Sequence, residues 1–279
     1  GGGISEMIFA FFAAGIGNAL RTKLIKHHFT LFLNVALSVS IACLIYACLL
    51  KAAELIFHIS VLHEAGYICS MLFIIPGFPF ITSGIDLAKL DLRSGLERLT
   101  YSVIIVLVAT MFAWIMALIL KLQPVDFLSI HLDTGSMLVF RLLASFCGVF
   151  GFSIMFNSPV PMTATAALIG ALANTLRLEL VDLAGLPPAA AAFIGALTAG
   201  LLASAIKQYN GYPRISLTVP SIVIMVPGLY LYRAIYNFGI MSLADAVSWF
   251  AAAAMIIMAL PLGLIFARIL TDRTFRYCT

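Results

Sequence analysis

Apolar residues run along this chain in long blocks separated by short polar intervals, with no sustained alternation of period two. Blocks of this length and pattern read as membrane-spanning helices and not as the strands of a barrel. They fall at 3–20, 29–50, 64–90, 94–121, 136–156, 162–181, 187–206, 216–238 and 243–270. The third is long enough to hold a spanning half followed by a polar half-helix. The chain opens on Gly1-Gly2-Gly3 without Met, so it is expected to be part of a longer protein. The first block lacks the basic flank and small-residue cleavage site of a signal peptide.

Two blocks carry a strong breaker near the middle. The third contains Ile75-Pro76-Gly77-Phe78-Pro79-Phe80 and the eighth Val226-Pro227-Gly228-Leu229-Tyr230-Leu231. A Pro-Gly pair removes a backbone donor and frees carbonyls that lipid cannot satisfy, so such a break persists only where it lines a protein cavity. Breaks at corresponding places in two halves of a membrane protein point to the substrate site of a secondary transporter.

Composition supports the same class. The chain is 63% hydrophobic and only 10% charged, whereas a soluble globule carries about 25% charge. Lys and Arg then set an orientation. If Arg21, Lys23 and Lys26 are cytoplasmic, alternation also puts Lys89, Arg93, Arg98, Lys207, Arg214, Arg268, Arg273 and Arg276 inside, with Lys51, Lys121 and Arg177 outside. The carboxyl end is therefore expected in the cytoplasm. The net charge of +4 reflects this topology, and nucleic acid is not an expected partner. Cys43, Cys48, Cys69 and Cys147 fall within spans and Cys278 in the tail, where they read as small apolar filler.

The two halves repeat. Asn18-Ala19-Leu20-Arg21 matches Asn174-Thr175-Leu176-Arg177, and a Pro-Gly break follows each at similar spacing. With Arg21 inside and Arg177 outside, the copies run in opposite directions, so the fold is expected to be an all-α polytopic membrane protein of inverted-topology repeats. The first repeat is assigned to 1–125 and the second to 126–279. The span 136–156 has no counterpart in the first half, which implies a further helix ahead of Gly1.

Several short motifs resemble the threonine/serine exporter family. In the first half these are Pro76-Gly77, Ser83-Gly84-Ile85-Asp86-Leu87 and Ser94-Gly95-Leu96-Glu97-Arg98. In the second they are Gly170-Ala171-Leu172 ahead of Asn174, and Val226-Pro227-Gly228 ahead of Tyr232-Arg233. The resemblance spans nearly the whole chain and implies export of small neutral amino acids driven by the proton-motive force across the cell membrane. Family members carry a cytoplasmic amino-terminal region and a first helix absent from this sequence. Two-component relatives that export dicarboxylates such as succinate provide the alternative.

Polar residues inside the spans are the site candidates, because ionisable groups in hydrocarbon are expensive and usually face a cavity. Asp86 lies beyond the first break on a stripe with Thr82, Lys89 and Arg93, at spacings of three and four residues. Its carboxylate suits a substrate ammonium or the coupled proton; the competing reading is a carboxylate neutralised by Lys89 at the interface. With the Pro-Gly pairs in register, Asn237 falls opposite Asp86, and Arg233 suits a substrate carboxylate, a structural ion pair or an interfacial cation. The half-helices after Pro76-Gly77 and Pro227-Gly228 present free amides to an anion. Ser83 belongs to the candidate substrate-binding set, and Asn18, Asn174 and Asn157-Ser158 are weaker candidates, since a lone intramembrane Asn more often bonds a neighbouring helix. Asn18 and Asn174 gain from their equivalent places in the repeat. The small face Gly195, Ala196, Ala199 and Gly200 reads as helix packing, and Arg141 as interfacial.

An enzyme is not expected. His63-Glu64-Ala65-Gly66-Tyr67 begins like a zinc-protease helix but has Tyr where the second His ligand is needed. No nucleophile elbow, phosphate loop or Cys/His cluster occurs, and neither cofactor nor metal is expected. A non-transporting assembly protein would explain the helices but not two equivalent breaks. The expected partners are a small-molecule substrate, protons and membrane lipid.

Overall fold

The computed structural model describes residues 3–57, 64–122 and 132–276. His63, the junction between 125 and 126, and Cys278 lie outside the described residues. Long apolar runs satisfy their backbone internally as helix, and among the described residues every regular element is helical. The helices are α1 (Ile4–Lys26), α2 (Leu31–Phe57), α3 (Glu64–Met71), α4 (Gly77–Ala88), α5 (Leu92–Ile119), α6 (Thr134–Met155), α7 (Val160–Asp182), α8 (Pro188–Asn210), α9 (Arg214–Val223), α10 (Gly228–Gly239), α11 (Leu243–Thr271) and α12 (Arg273–Arg276). Seven are long and apolar enough to cross a membrane unbroken, and two bent pairs bring the number of spans to as many as nine.

Both Pro-Gly pairs are breaks. The chain bends by 59° between α3 and α4 and by 46° between α9 and α10. Ile75, held by the following proline away from the helical region, takes φ −61° and ψ 120°. Pro220 lies inside α9 and Pro261 inside α11 without ending either helix. Proline followed by Gly, rather than proline alone, therefore marks the breaks in this chain.

The helices after the breaks match in length and in termination. Each has 12 residues, and each ends in a left-handed residue, Leu90 or Met241, both at φ 63°. The amide of Asp91 then reaches back to the Asp86 carbonyl at 3.0 Å, and that of Ser242 to the Asn237 carbonyl at 2.9 Å. These are equivalent closing bonds of the helix-ending motif. Asp86 and Asn237 thus occupy the same structural position, as their sequence register predicts.

The chain forms two compact units that interleave its segments. Unit 1 holds Gly1–Pro76, Ser102–His131 and Gly228–Phe250; unit 2 holds Gly77–Tyr101, Leu132–Pro227 and Ala251–Thr279. The chain changes unit at both Pro-Gly pairs, so each half-helix joins a unit built largely from the other half of the sequence. In unit 1, Gly228 starts α10 where a Cβ would stand 2.7 Å from Leu72 Cδ2. In unit 2, Gly77 starts α4 where a Cβ would stand 2.6 Å from Val223 Cγ2. Glycine is needed at both places for this close approach.

Unit 1 is centred on aromatic and small residues. Tyr46, Tyr67 and Tyr232 are buried, with ring centroids 6.2 and 6.3 Å apart along the series. The Tyr67 hydroxyl donates to the Ala113 carbonyl at 2.6 Å. Unit 2 packs through small faces instead. Ala196 and Ala199 are fully buried, while a Cβ on Gly195 would sit 3.1 Å from the Ala173 carbonyl and one on Gly200 2.5 Å from Ala267 Cβ.

Arg141 is more than the interfacial residue expected. Only 16% of its side chain is exposed, and it donates to Glu179 at 2.8 Å and pairs with Asp182, tying α6 to α7. Breaking a part-buried pair leaves its partner poorly solvated. Arg141→Met should cost about 1–3 kcal/mol and lower the thermal midpoint in detergent. Adding Glu179→Gln should recover part of the loss, whereas an unchanged midpoint for the single variant would remove this role.

Candidate substrate site beside the first break

The turn between α4 and α5 brings opposite charges together beside the first broken span. Asp91 begins it: its carboxylate accepts from the Ser94 amide at 3.3 Å and its carbonyl from the Gly95 amide at 3.0 Å, which caps α5. Gly95 is buried, and a Cβ there would come within 2.7 Å of Leu87 Cγ. Its absence lets α5 fold back closely on the last turn of α4. Arg98, three residues beyond Gly95, is thereby brought onto Asp86, with Nη1 2.9 Å from Oδ2.

The partner of Asp86 is therefore Arg98 and not Lys89. The contact is electrostatic rather than a directed hydrogen bond, because Oδ2 has no hydrogen-bond partner among the described residues. Asp86 is 18% exposed and Arg98 50%, so the pair sits where water reaches one member. Asp86 lies nine positions beyond Gly77, which places it about 13 Å along α4 from the break.

Between the pair and the break lies a cavity of about 370 Å³, lined by Phe78, Pro79 and Thr82 of α4 and Glu97, Arg98 and Tyr101 of α5. Thr82 is buried and its hydroxyl donates to the Phe78 carbonyl at 3.1 Å. Ser83 is buried with its hydroxyl on the Phe80 carbonyl at 2.8 Å, and it does not line this cavity. Arg93 pairs with Glu97 at 3.1 Å, both well exposed. Lys89 lines a different cavity.

The equivalent turn of the second half has the same frame and a different chemistry. Counted from the Pro-Gly pairs, Asn237 stands for Asp86 and Trp249 for Arg98. Here Arg233 lies over the Trp249 ring at 4.9 Å, and Asn237 donates to the Arg233 carbonyl at 2.8 Å. This turn belongs to unit 1, whereas Asp86 and Arg98 belong to unit 2.

Among the remaining candidates, Asn174 is buried and donates to Ser145 Oγ at 2.9 Å, while its Oδ1 has no partner among the described residues. Asn18 is half-buried, and its carbonyl accepts from Thr22 at 3.0 Å. Asn157 takes φ 58° and ends α6, a position that suits Asn for backbone reasons. Arg177 was not in the candidate set. Its Nη1 donates to the Met225 carbonyl at 3.3 Å, satisfying an acceptor freed by the second break.

Seven unbroken membrane-length helices and two broken spans, one bearing an ion pair beside a cavity, define a polytopic helical membrane protein with polar groups held at an interrupted helix. Residues 1–121 match the family described as "Putative threonine/serine exporter", and residues 141–270 that described as "Threonine/Serine exporter, ThrE". The chain belongs to the threonine/serine exporter family and is a transporter of that type. Neither a curated protein nor a solved structure matches it.

Proposed function

We propose that the chain is a secondary exporter of small neutral amino acids, threonine and serine, that exchanges substrate for protons across the cell membrane. The observation that carries this reading is the Asp86–Arg98 pair beside the cavity on the half-helix that follows the first break. A zwitterion has the complementary charges. Its ammonium takes the place of Arg98 at Asp86, and its carboxylate pairs with the displaced guanidinium.

This arrangement yields exchange rather than co-transport, because a proton and an ammonium compete for one carboxylate. Protonation of Asp86 from the external side releases the substrate, and deprotonation towards the cytoplasm restores the charge that attracts the next one. Asp86 is thus the proton-coupling residue. Phe78, Pro79 and Thr82 supply one wall for a small side chain. A dicarboxylate such as succinate is no larger than threonine but brings two negative charges to a pair that offers one guanidinium and one carboxylate.

The two sequence halves form an inverted repeat, with 1–125 and 126–279 as its copies. The matching half-helices support the repeat, and the alternating placement of Lys and Arg supports the inversion. That placement puts Lys89, Arg214, Arg268 and Arg273 on the cytoplasmic side with the carboxyl end. Their common presence around one cavity of unit 2 supports the assignment.

Transport by purified protein in liposomes tests the substrate class. A tenfold excess of unlabelled serine should suppress labelled threonine uptake, and the same excess of succinate should leave it unchanged. Suppression by succinate and not by serine would overturn the neutral amino-acid assignment.

A further inference from the structure

A second cavity in unit 2, about 1040 Å³, does not belong to the site described above. The carboxyl ends of α4, α8 and α11 and the start of α9 meet around it. Its charged lining is one-sided: Lys89, Arg214, Arg268 and Arg273 against the single carboxylate of Asp272.

Two of these cations already have structural partners. Arg214 donates to Thr271 Oγ1 at 2.9 Å and to the Gly200 carbonyl at 3.2 Å. Arg268 pairs with Asp272 at 3.5 Å and lies over the Phe275 ring at 4.1 Å. The closing carbonyls of α11 do not call for the others, because Arg276 reaches the Ile269 carbonyl at 3.0 Å. Lys89 and Arg273 have no side-chain partner among the described residues. The cavity therefore retains positive charge that no described carboxylate offsets.

The wall also carries aliphatic side chains, Leu201, Ile215 and Leu264 among them, beside the hydroxyls of Ser204, Thr218 and Thr271 and the ring of Phe275. Cations at one end of a membrane-protein cavity and an apolar wall along it fit a phosphate attached to a hydrocarbon chain. A free phosphate shares the anionic chemistry but has no use for the apolar wall.

We infer that this cavity binds the phosphate of an anionic phospholipid, with Lys89, Arg214 and Arg273 around the headgroup and an acyl chain along Leu201, Ile215 and Leu264. The bound lipid neutralises the cation cluster and fastens the ends of α4 and α11, so it acts on the unit that carries Asp86 without touching the substrate. It requires only that the chain be a membrane protein and holds whatever the substrate is.

The test uses the full chain purified in detergent, with native mass spectrometry for bound lipid and thermal unfolding for its effect. Phosphatidylglycerol should bind and raise the midpoint, and phosphatidylcholine should do neither at equal concentration. Lys89→Gln with Arg273→Gln should weaken phosphatidylglycerol binding about thirtyfold, from about 1 kcal/mol for each cation. Both side chains are exposed, so the lipid-free midpoint should stay at the wild-type value. The charge-keeping pair Lys89→Arg with Arg273→Lys should bind almost as wild type, and provides the comparison if the Gln pair misfolds.

Equal binding of the two lipids, or undiminished phosphatidylglycerol binding by the Gln pair, would overturn the inference. Displacement of the lipid by inorganic phosphate or succinate at millimolar concentration would reassign the cavity to a soluble anion and overturn it too. Loss of binding in the charge-keeping pair would show that the cation cluster is not what holds the lipid.

Discussion

Asp86→Asn should reduce proton-driven threonine export at least a hundredfold while leaving the protein folded in the membrane. The amide keeps the shape of the carboxyl group but carries neither the charge nor the exchangeable proton. Its effect on folding should be small. The Arg98 side chain is half exposed, and exposed pairs contribute roughly 0–1 kcal/mol. Export measured beside elution profile and thermal midpoint separates the two effects. A folded Asn variant with near-normal, protonophore-sensitive export would remove Asp86 from the mechanism and leave its contact with Arg98 as a fastening of the α4–α5 turn.

Gly84→Ala should have the largest effect on folding. A Cβ at this position would stand 2.3 Å from Pro261 Cγ and 2.6 Å from Pro261 Cβ. A proline ring cannot rotate aside, so α4 must move off α11 or the chain must distort. Overpacking of this kind costs about 1–3 kcal/mol and more where neighbours are rigid. The loss should appear as a lower thermal midpoint and reduced yield of folded protein. Pro261→Gly removes both the Cγ and the Cβ that the new methyl would meet and should rescue Gly84→Ala, a coupling readable in a double-mutant cycle. A double variant whose loss is the sum of the two single losses would show that the two residues do not meet.

The helical class and, among the described residues, the seven unbroken and two bent spans were legible because lipid leaves long apolar blocks few alternatives. The breaks were legible from Pro followed by Gly, and Pro220 and Pro261 show how much the second residue matters. The matching of Asp86 with Asn237 was also readable, since both are counted from a Pro-Gly pair. The partner of Asp86 was not. A spacing of three residues pairs Asp86 with Lys89 only while the helix continues, and α4 ends at Ala88. Leu90 then turns the chain through a left-handed residue, and Gly95 folds α5 back so that a residue twelve positions on becomes the neighbour.

Arg177 was missed for a related reason. Its acceptor, the Met225 carbonyl, is 48 residues away in sequence, and only the three-dimensional path of α7 past the second break brings them together. Arg141 looked interfacial because its carboxylate partners lie on the next helix. The interleaving of the two units was equally hidden. Nothing in the local pattern at Pro76 or Pro227 states which neighbours the following half-helix will choose.

The most direct test of proton-coupled export uses inverted membrane vesicles containing the wild-type chain, energised so that the lumen is acidic. Labelled threonine supplied to the bath should accumulate in the lumen, and a protonophore should collapse that accumulation. Failure to accumulate threonine above vesicles lacking the protein, or accumulation that survives the protonophore, would contradict the account.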